Sequence, residues 1–205
     1  FALGDRHVGF YLLDVSGHGV AASLTAVAAA RMMSAPGDPD SLLCDRATGA
    51  PLPPARVLGQ LNERFTFNGD TGQFLTCFYA VLDTATRVLC YACAGHPGPI
   101  WVNGDGVTQS LDATGLPVGI GEEQYEERCV TLAPRDRVYV HSDGIIESRS
   151  PDGSFFGLAR LASLVADVRA VPLLESVARI ERDLAAFRGG KPAGDDVSLL
   201  AIECS

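Results

Sequence analysis

Between Phe74 and His141 the chain alternates short apolar stretches with turn-forming residues, and this constrains the fold more than any other feature of the sequence. The stretches are Phe74–Asp83, Arg87–Ala94, Pro99–Val102, Val107–Leu111, Tyr125–Leu132 and Arg137–His141. Their lengths and their aromatic and β-branched content predict strands. Thr84-Ala85-Thr86 and Asn103-Gly104-Asp105-Gly106 are short enough for hairpin loops, the second carrying Asn-Gly. Hairpins make neighbouring strands antiparallel, which rules out a sheet built wholly from parallel crossovers.

The flanks of this region read differently. Residues 7–13 (HVGFYLL) predict a buried strand that stops at Asp14. Val20–Ser34 predicts an alanine-rich helix whose small side chains suit a close neighbour. Ala35–Pro54 is proline-rich and aperiodic, which predicts a mobile loop. Ala55–Phe67 returns to helical spacing, with Val57, Leu58, Leu61 and Phe65 on one side. Downstream, Leu158, Leu161, Val165 and Val168 form one helical stripe, and Leu173, Val177, Ile180, Leu184 and Phe187 form another after Pro172. Val197–Glu203 predicts a closing strand. Helices segregated from a run of antiparallel strands define an α+β chain, with helices over the outer faces of strand layers. Residues 1–205 are expected to form one domain.

Charge and cysteine use narrow the functional classes. A net charge of −9 repels nucleic-acid backbones and anionic headgroups, and no apolar run is long enough to span a bilayer. Neither nucleic acid nor membrane insertion is therefore expected. The six cysteines lie mostly in strand-like runs, where a thiol packs as a small hydrophobe. Cys90 and Cys93 have redox-motif spacing, but three residues apart on a strand they point to opposite faces. The expectation is free thiols in a cytoplasmic protein.

Carboxylates stand at the ends of several predicted strands beside glycine or another acid. They are Asp14 in Asp14-Val15-Ser16-Gly17-His18-Gly19, Asp143 in Ser142-Asp143-Gly144, and Asp195 with Asp196 in Gly194-Asp195-Asp196. An aspartate after a strand is most often only a turn residue. Together, such carboxylates form an oxygen-only donor set, which selects hard divalent cations such as Mg²⁺ or Mn²⁺.

Asp14–Gly19, Ala94-Gly95-His96-Pro97-Gly98-Pro99, Gly115-Leu116-Pro117-Val118-Gly119, Ser142–Glu147 and Gly194–Leu200 occur in that order. The set resembles the metal-dependent protein serine/threonine phosphatase family (type 2C), in its bacterial SpoIIE-like and RsbU-like branch. The resemblance implies an α-β-β-α sandwich of two mainly antiparallel sheets flanked by helices, with a two-metal centre holding Mn²⁺ or Mg²⁺. It makes Asp14, the Val15 carbonyl, Asp143 and Asp195 metal ligands, with Asp196 adjacent as an accessory residue. It implies in-line attack by a metal-activated water on phosphoserine or phosphothreonine. The implied substrate is a phosphorylated regulatory protein of the anti-anti-sigma type, with a sensor or receiver domain upstream in the same chain. A homodimer is compatible with this reading.

The resemblance also implies a further metal-binding Asp, in a Gly-Gly-Asp element one strand ahead of Asp14. Asp5 is too close to Asp14 for that role, so the element and its strand are expected to precede residue 1. That gap keeps a second reading open, a phosphatase-like adaptor or regulatory binding domain without turnover.

His18 and His96 are candidates to protonate a leaving oxygen, because imidazole titrates near neutral pH; the plainer reading of each is a turn histidine bonded to backbone. His7 and His141 are expected to be structural. Arg31, Arg149 and Lys191 are candidates for steering a phosphopeptide, and Glu122–Glu127 predicts a solvated acidic loop. Two other enzymes are disfavoured. Gly17-His18-Gly19-Val20-Ala21-Ala22 fits a dinucleotide fingerprint, but Ala35–Asp40 cannot supply the second parallel strand that fold needs. A nucleophile elbow on Ser16 fails because Asp14 stands where glycine is required.

Overall fold

A computed structural model describes residues 1–65, 73–112, 114–121 and 124–205. In chain order the elements are β1 (Ala2–Leu3), β2 (His7–Val15), α1 (Val20–Met32), α2 (Pro54–Arg64), β3 (Leu75–Asp83), β4 (Val88–Ala94), β5 (Ile100–Val102) and β6 (Thr108–Ser110). Then follow β7 (Arg128–Thr131), β8 (Arg137–His141), α3 (Asp143–Ile146), α4 (Leu158–Asp167), α5 (Leu173–Phe187) and β9 (Leu199–Glu203). The α+β class follows directly: two antiparallel sheets, each with its own helices. The chain divides into two compact units, Phe1–His96 with Ala113–Thr131, and Pro97–Asp112 with Leu132–Ser205.

The first unit is a five-stranded sheet in the order β1-β2-β3-β4-β7. Its long ladder joins β2 to β3 from His7↔Asp83 to Val15↔Leu75. The sequence places the end of β2 before Asp14, yet the ladder carries Asp14 and Val15 because β3 is long enough to pair them. Arg6 donates from Nε and Nη2 to Asp83 at 2.9 and 2.6 Å, and this holds the Asp83 carboxyl well below the usual carboxylate range. The 84–86 hairpin forms as expected, closed by Arg87 at φ +59.

Pro54 opens α2 at its first turn, where a missing N–H does no harm. The helix lays Val57, Leu58 and Leu61, all fully buried, against β3 and β4. Each such side chain contributes about 1.5–3 kcal/mol of burial. The helix was expected to run through Phe67; Thr66 and Phe67 lie outside the described residues. The 35–53 segment is a loop, as its composition suggests, but one packed against the core. Leu42, Leu43 and Leu52 are buried in the core, and Cys44 bridges to Pro51. By contrast, α1 buries only Ala22 and Ala29 among its residues and leaves Val20, Leu24 and Val27 exposed.

The Tyr125–Leu132 expectation shortens to β7. Beside the end of β4 its place is taken by Gly115, whose carbonyl accepts the Gly95 N–H at 2.8 Å. A Cβ on Gly115 would run into the Cys93 carbonyl and the Tyr125 ring, so only glycine fits. Of the 122–127 acidic run, Glu122 and Glu123 lie outside the described residues, while Glu126 and Glu127 are exposed.

The free-thiol expectation is corrected here. Cys90 and Cys129 stand directly opposite each other on β4 and β7, with Cα atoms 4.1 Å apart, and form a disulfide. Cys44, Cys77, Cys93 and Cys204 remain free. Spacing along the chain could not give this pair, because cross-strand register brings together residues separated by 39 positions. Thiol titration in denaturant should therefore return two fewer thiols before reduction than the six available after it. Cys129→Ser should lower the stability of the oxidised protein by roughly 2–3 kcal/mol. Six thiols without reductant would show that the pair is open.

The second unit is a four-stranded sheet in the order β6-β5-β8-β9. Its central strand β8 is buried at every position, including His141. The stripes on α4 and α5 behave as their spacing predicts: Leu161, Val165, Ile180 and Leu184 are buried with Ile100, Val102 and Tyr139. Arg137 is buried too. It donates from Nε to Glu203 at 2.6 Å and from Nη2 to the Val171 carbonyl at 2.6 Å. Among the described residues, no helix is long and apolar enough to cross a membrane.

Candidate metal centre

In the first unit, Asp14 is the penultimate residue of β2, half-buried and opposite Thr76 on β3. Val15 ends the strand opposite Leu75. The chain then leaves the sheet under control of Ser16, whose N–H donates to the Phe74 carbonyl and whose Oγ accepts the Phe74 N–H, both at 2.9 Å. Gly17 and Gly19 have φ of +90 and +87, which L side chains rarely adopt; this is why the motif is glycine-rich. His18, between them, is exposed. His96 is buried, with Nδ1 3.1 Å from Thr76 Oγ1. Thr76, directly across from Asp14, thus holds His96 at that end of the sheet.

In the second unit, Asp143 opens the short helix α3. Sequence reasoning read this place as a turn; the helix forms because Glu147 N–H returns to the Asp143 carbonyl at 2.8 Å. Ser142 Oγ donates to the Asp196 carbonyl at 2.8 Å and accepts the Ser198 N–H at 3.0 Å. A methyl on Gly144 would collide with the same Asp196 carbonyl and stand 3.4 Å from Asp195 Cβ. Glycine therefore lets the Asp143 turn and the Asp195–Asp196 turn lie in contact. Asp143 and Asp195 are brought together in this way. Asp195 is exposed and its Oδ1 accepts the Asp196 N–H at 2.8 Å. Asp196 is exposed as well and contributes its backbone carbonyl as an anchor.

Asp143 Oδ1 is buried with no hydrogen-bond partner among the described residues. A buried acceptor left unmatched costs about 1–3 kcal/mol, and more when charged. A divalent cation removes that penalty, and an all-oxygen donor set suits Mg²⁺ or Mn²⁺. Asp143 and Asp195 fit such an ion, though alone they do not complete its shell. Among the described residues the one trio of ligand-type side chains within 4.8 Å of one another is Cys90, Glu127 and Cys129, and its sulfurs are joined in the disulfide.

The predicted steering cations separate. Arg31 pairs with Asp40 at 2.7 Å on the surface of the first unit. Arg149 and Lys191 line a cavity of about 500 Å³ in the second unit, together with Asp195 and Arg188. Arg188 was missed by sequence reasoning, although Arg188-Gly189-Gly190-Lys191 just ahead of Gly194-Asp195 could have marked it. Thr76 and Ser142 were missed also; each has meaning only through its strand partner.

The comparisons with known proteins bear on the fold and the family. The PP2C domain of SiaA from Pseudomonas aeruginosa has the same fold, with a TM-score of 0.77 at 23% identity over 96% of this chain and 80% of that one. Protein IcfG from Synechocystis is 29% identical over 67% of this chain. Phosphoserine phosphatase RsbP from Bacillus subtilis is 23% identical over 72% of it. This chain spans 22% and 35% of the lengths of those two relatives. The architecture is therefore that of PP2C phosphatase domains. Residues 4–205 match the family described as stage II sporulation protein E (SpoIIE), and the chain belongs to that family.

Proposed function

We propose that this chain is a metal-dependent protein phosphoserine/phosphothreonine phosphatase. The observation that carries the reading is the buried, unmatched Asp143 Oδ1 on a turn packed against Asp195. Family membership supports it. The proposed ligands are Asp14, the Val15 carbonyl, Asp143 and Asp195. When bound, the Mn²⁺ or Mg²⁺ ions supply a hydroxide at neutral pH and neutralise charge at phosphorus.

The chain's own residues do the rest. Ser142 holds the backbone that follows Asp195, donating to the Asp196 carbonyl and accepting the Ser198 N–H, and so positions that turn beside Asp143. His96, oriented by Thr76, is the candidate to protonate the leaving seryl oxygen, and the exposed His18 is the alternative. The substrate proposed is a phosphorylated regulatory protein of the anti-anti-sigma type. A sensor or receiver domain in the same chain, a cytoplasmic location and a homodimer complete the proposal. In a reducing compartment the Cys90–Cys129 disulfide would open.

Phosphate release from p-nitrophenyl phosphate by the full-length protein, across a Mn²⁺ titration with an EDTA control, tests the activity. Turnover that rises with Mn²⁺ and vanishes in EDTA is the expected result. Folded protein with no turnover at saturating Mn²⁺ overturns the reading and leaves a binding domain.

A further inference from the structure

The cavity beside Asp195 carries three cations without a carboxylate partner. Its wall includes Arg149, Arg188 and Lys191, and none of them forms an ion pair among the described residues. In a chain where acids outnumber bases 25 to 16, that grouping is not what random pairing would leave. Arg188 stands out further, because its Nε and Nη1 are buried with no hydrogen-bond acceptor among the described residues. Arg188 and Lys191 follow the C-terminus of α5, where positive charge complements the helix dipole. The dipole accounts for their sign. It does not account for guanidinium donors left without an acceptor, which is expensive in a protein interior.

The cavity is built rather than incidental. Gly189, at φ +63, brings the end of α5 so close to the 148–155 loop that a Cβ there would stand 2.7 Å from Pro151 Cγ. The loop is tied within itself: Ser150 N–H donates to the Ser154 carbonyl at 3.0 Å, and Phe156 N–H to the Ser148 carbonyl at 2.8 Å. Arg149 is stacked over the Phe155 ring, 4.1 Å from its centroid, so its fork is preoriented. Glu147 and Asp195 also face the cavity. The three cations outnumber these two acids, so the cavity keeps a net positive charge suited to one compact oxyanion.

From this arrangement we infer that Arg188, with Arg149 and Lys191, forms a phosphate-binding subsite. It receives the phosphoryl group of a phosphoserine or phosphothreonine side chain, and the inorganic phosphate that hydrolysis leaves. The inference rests on the phosphatase reading for its substrate. Planar guanidinium forks match the spacing of phosphate oxygens, and charge-assisted bonds of this kind are the strong ones. Arg188 is a substrate-positioning residue, and its removal weakens binding more than turnover.

The test uses the full-length protein with a phosphoserine peptide in Mn²⁺, and inorganic phosphate as product inhibitor. Arg188→Gln should raise KM and the phosphate inhibition constant about tenfold or more, with kcat within about threefold of wild type. Arg188→Lys should recover part of the loss. Arg182→Gln, on the exposed side of α5, should change neither constant. Unchanged KM and inhibition constant in Arg188→Gln overturn the inference, as does a fall confined to kcat. Calorimetry with inorganic phosphate in EDTA separates the two levels of argument. Should wild type lack turnover, the phosphatase reading fails. Metal-free phosphate binding that Arg188→Gln abolishes still supports the subsite, and no such binding by wild type overturns it.

Discussion

Asp143→Asn should lower Mn²⁺-dependent phosphate release by on the order of a thousandfold, about 4 kcal/mol of transition-state stabilisation. The substitution keeps the shape of the side chain and removes its charge. Because Asp143 Oδ1 has no protein donor to lose, the metal-free protein should melt at the wild-type temperature or slightly above it. Mn²⁺ should raise the melting temperature of wild type by binding the folded state alone, and this increment should shrink in the variant. The pair of readouts separates a lost ligand from a damaged fold. Activity within threefold of wild type, with the metal-induced increment intact, would remove Asp143 from the proposed centre.

Arg137→Met should cost about 3–5 kcal/mol of folding free energy, as expected when one partner of a buried charged network is removed. Arg137 is 3% exposed, and its guanidinium serves Glu203 together with the Val168 and Val171 carbonyls between α4 and α5. Methionine fills the volume but leaves all of these acceptors without their donor. Glu203 is 34% exposed, so water takes over part of its loss; the two carbonyls carry the larger share. Urea denaturation followed through Trp101 measures the effect directly. That residue is the sole tryptophan, lies on β5 beside β8, and donates to Asp136 at 3.0 Å. The exposed Arg179–Glu175 pair on α5 provides the contrast, since its loss should cost under about 0.5 kcal/mol. A loss below about 1 kcal/mol for Arg137→Met would show that the network is dispensable.

What the sequence made legible was local. Periodicity located α2, α4 and α5, and hairpin chemistry located the turns at 84–86 and 103–106, because each signal lies within a few residues of its consequence. The carboxylates at strand ends were visible for the same reason. Cross-strand facts were not visible: the Cys90–Cys129 bridge, the Thr76–His96 contact and the Ser142 bonds to Asp196 and Ser198 depend on register between distant segments. β1 is two residues long and carries no pattern to read. The composition of Ala35–Pro54 marked the loop but not its packing, which Leu42, Leu43 and Leu52 decide. Arg188 was hidden because a basic residue at a helix end is ordinary; only its burial without an acceptor sets it apart.

The sheet order has a consequence for how this chain behaves at high concentration. Among the described residues, β1 and β7 border the first sheet with two and four residues, and β6 borders the second with three. Borders this short offer a neighbouring molecule too few unpaired backbone groups to template further pairing. The longest is β9, with five residues, and there Glu203 is held by Arg137 at the end of the strand. Among the described residues β9 is therefore the border with the most unpaired backbone, and the charge of Glu203 at its end opposes the approach of a second strand there.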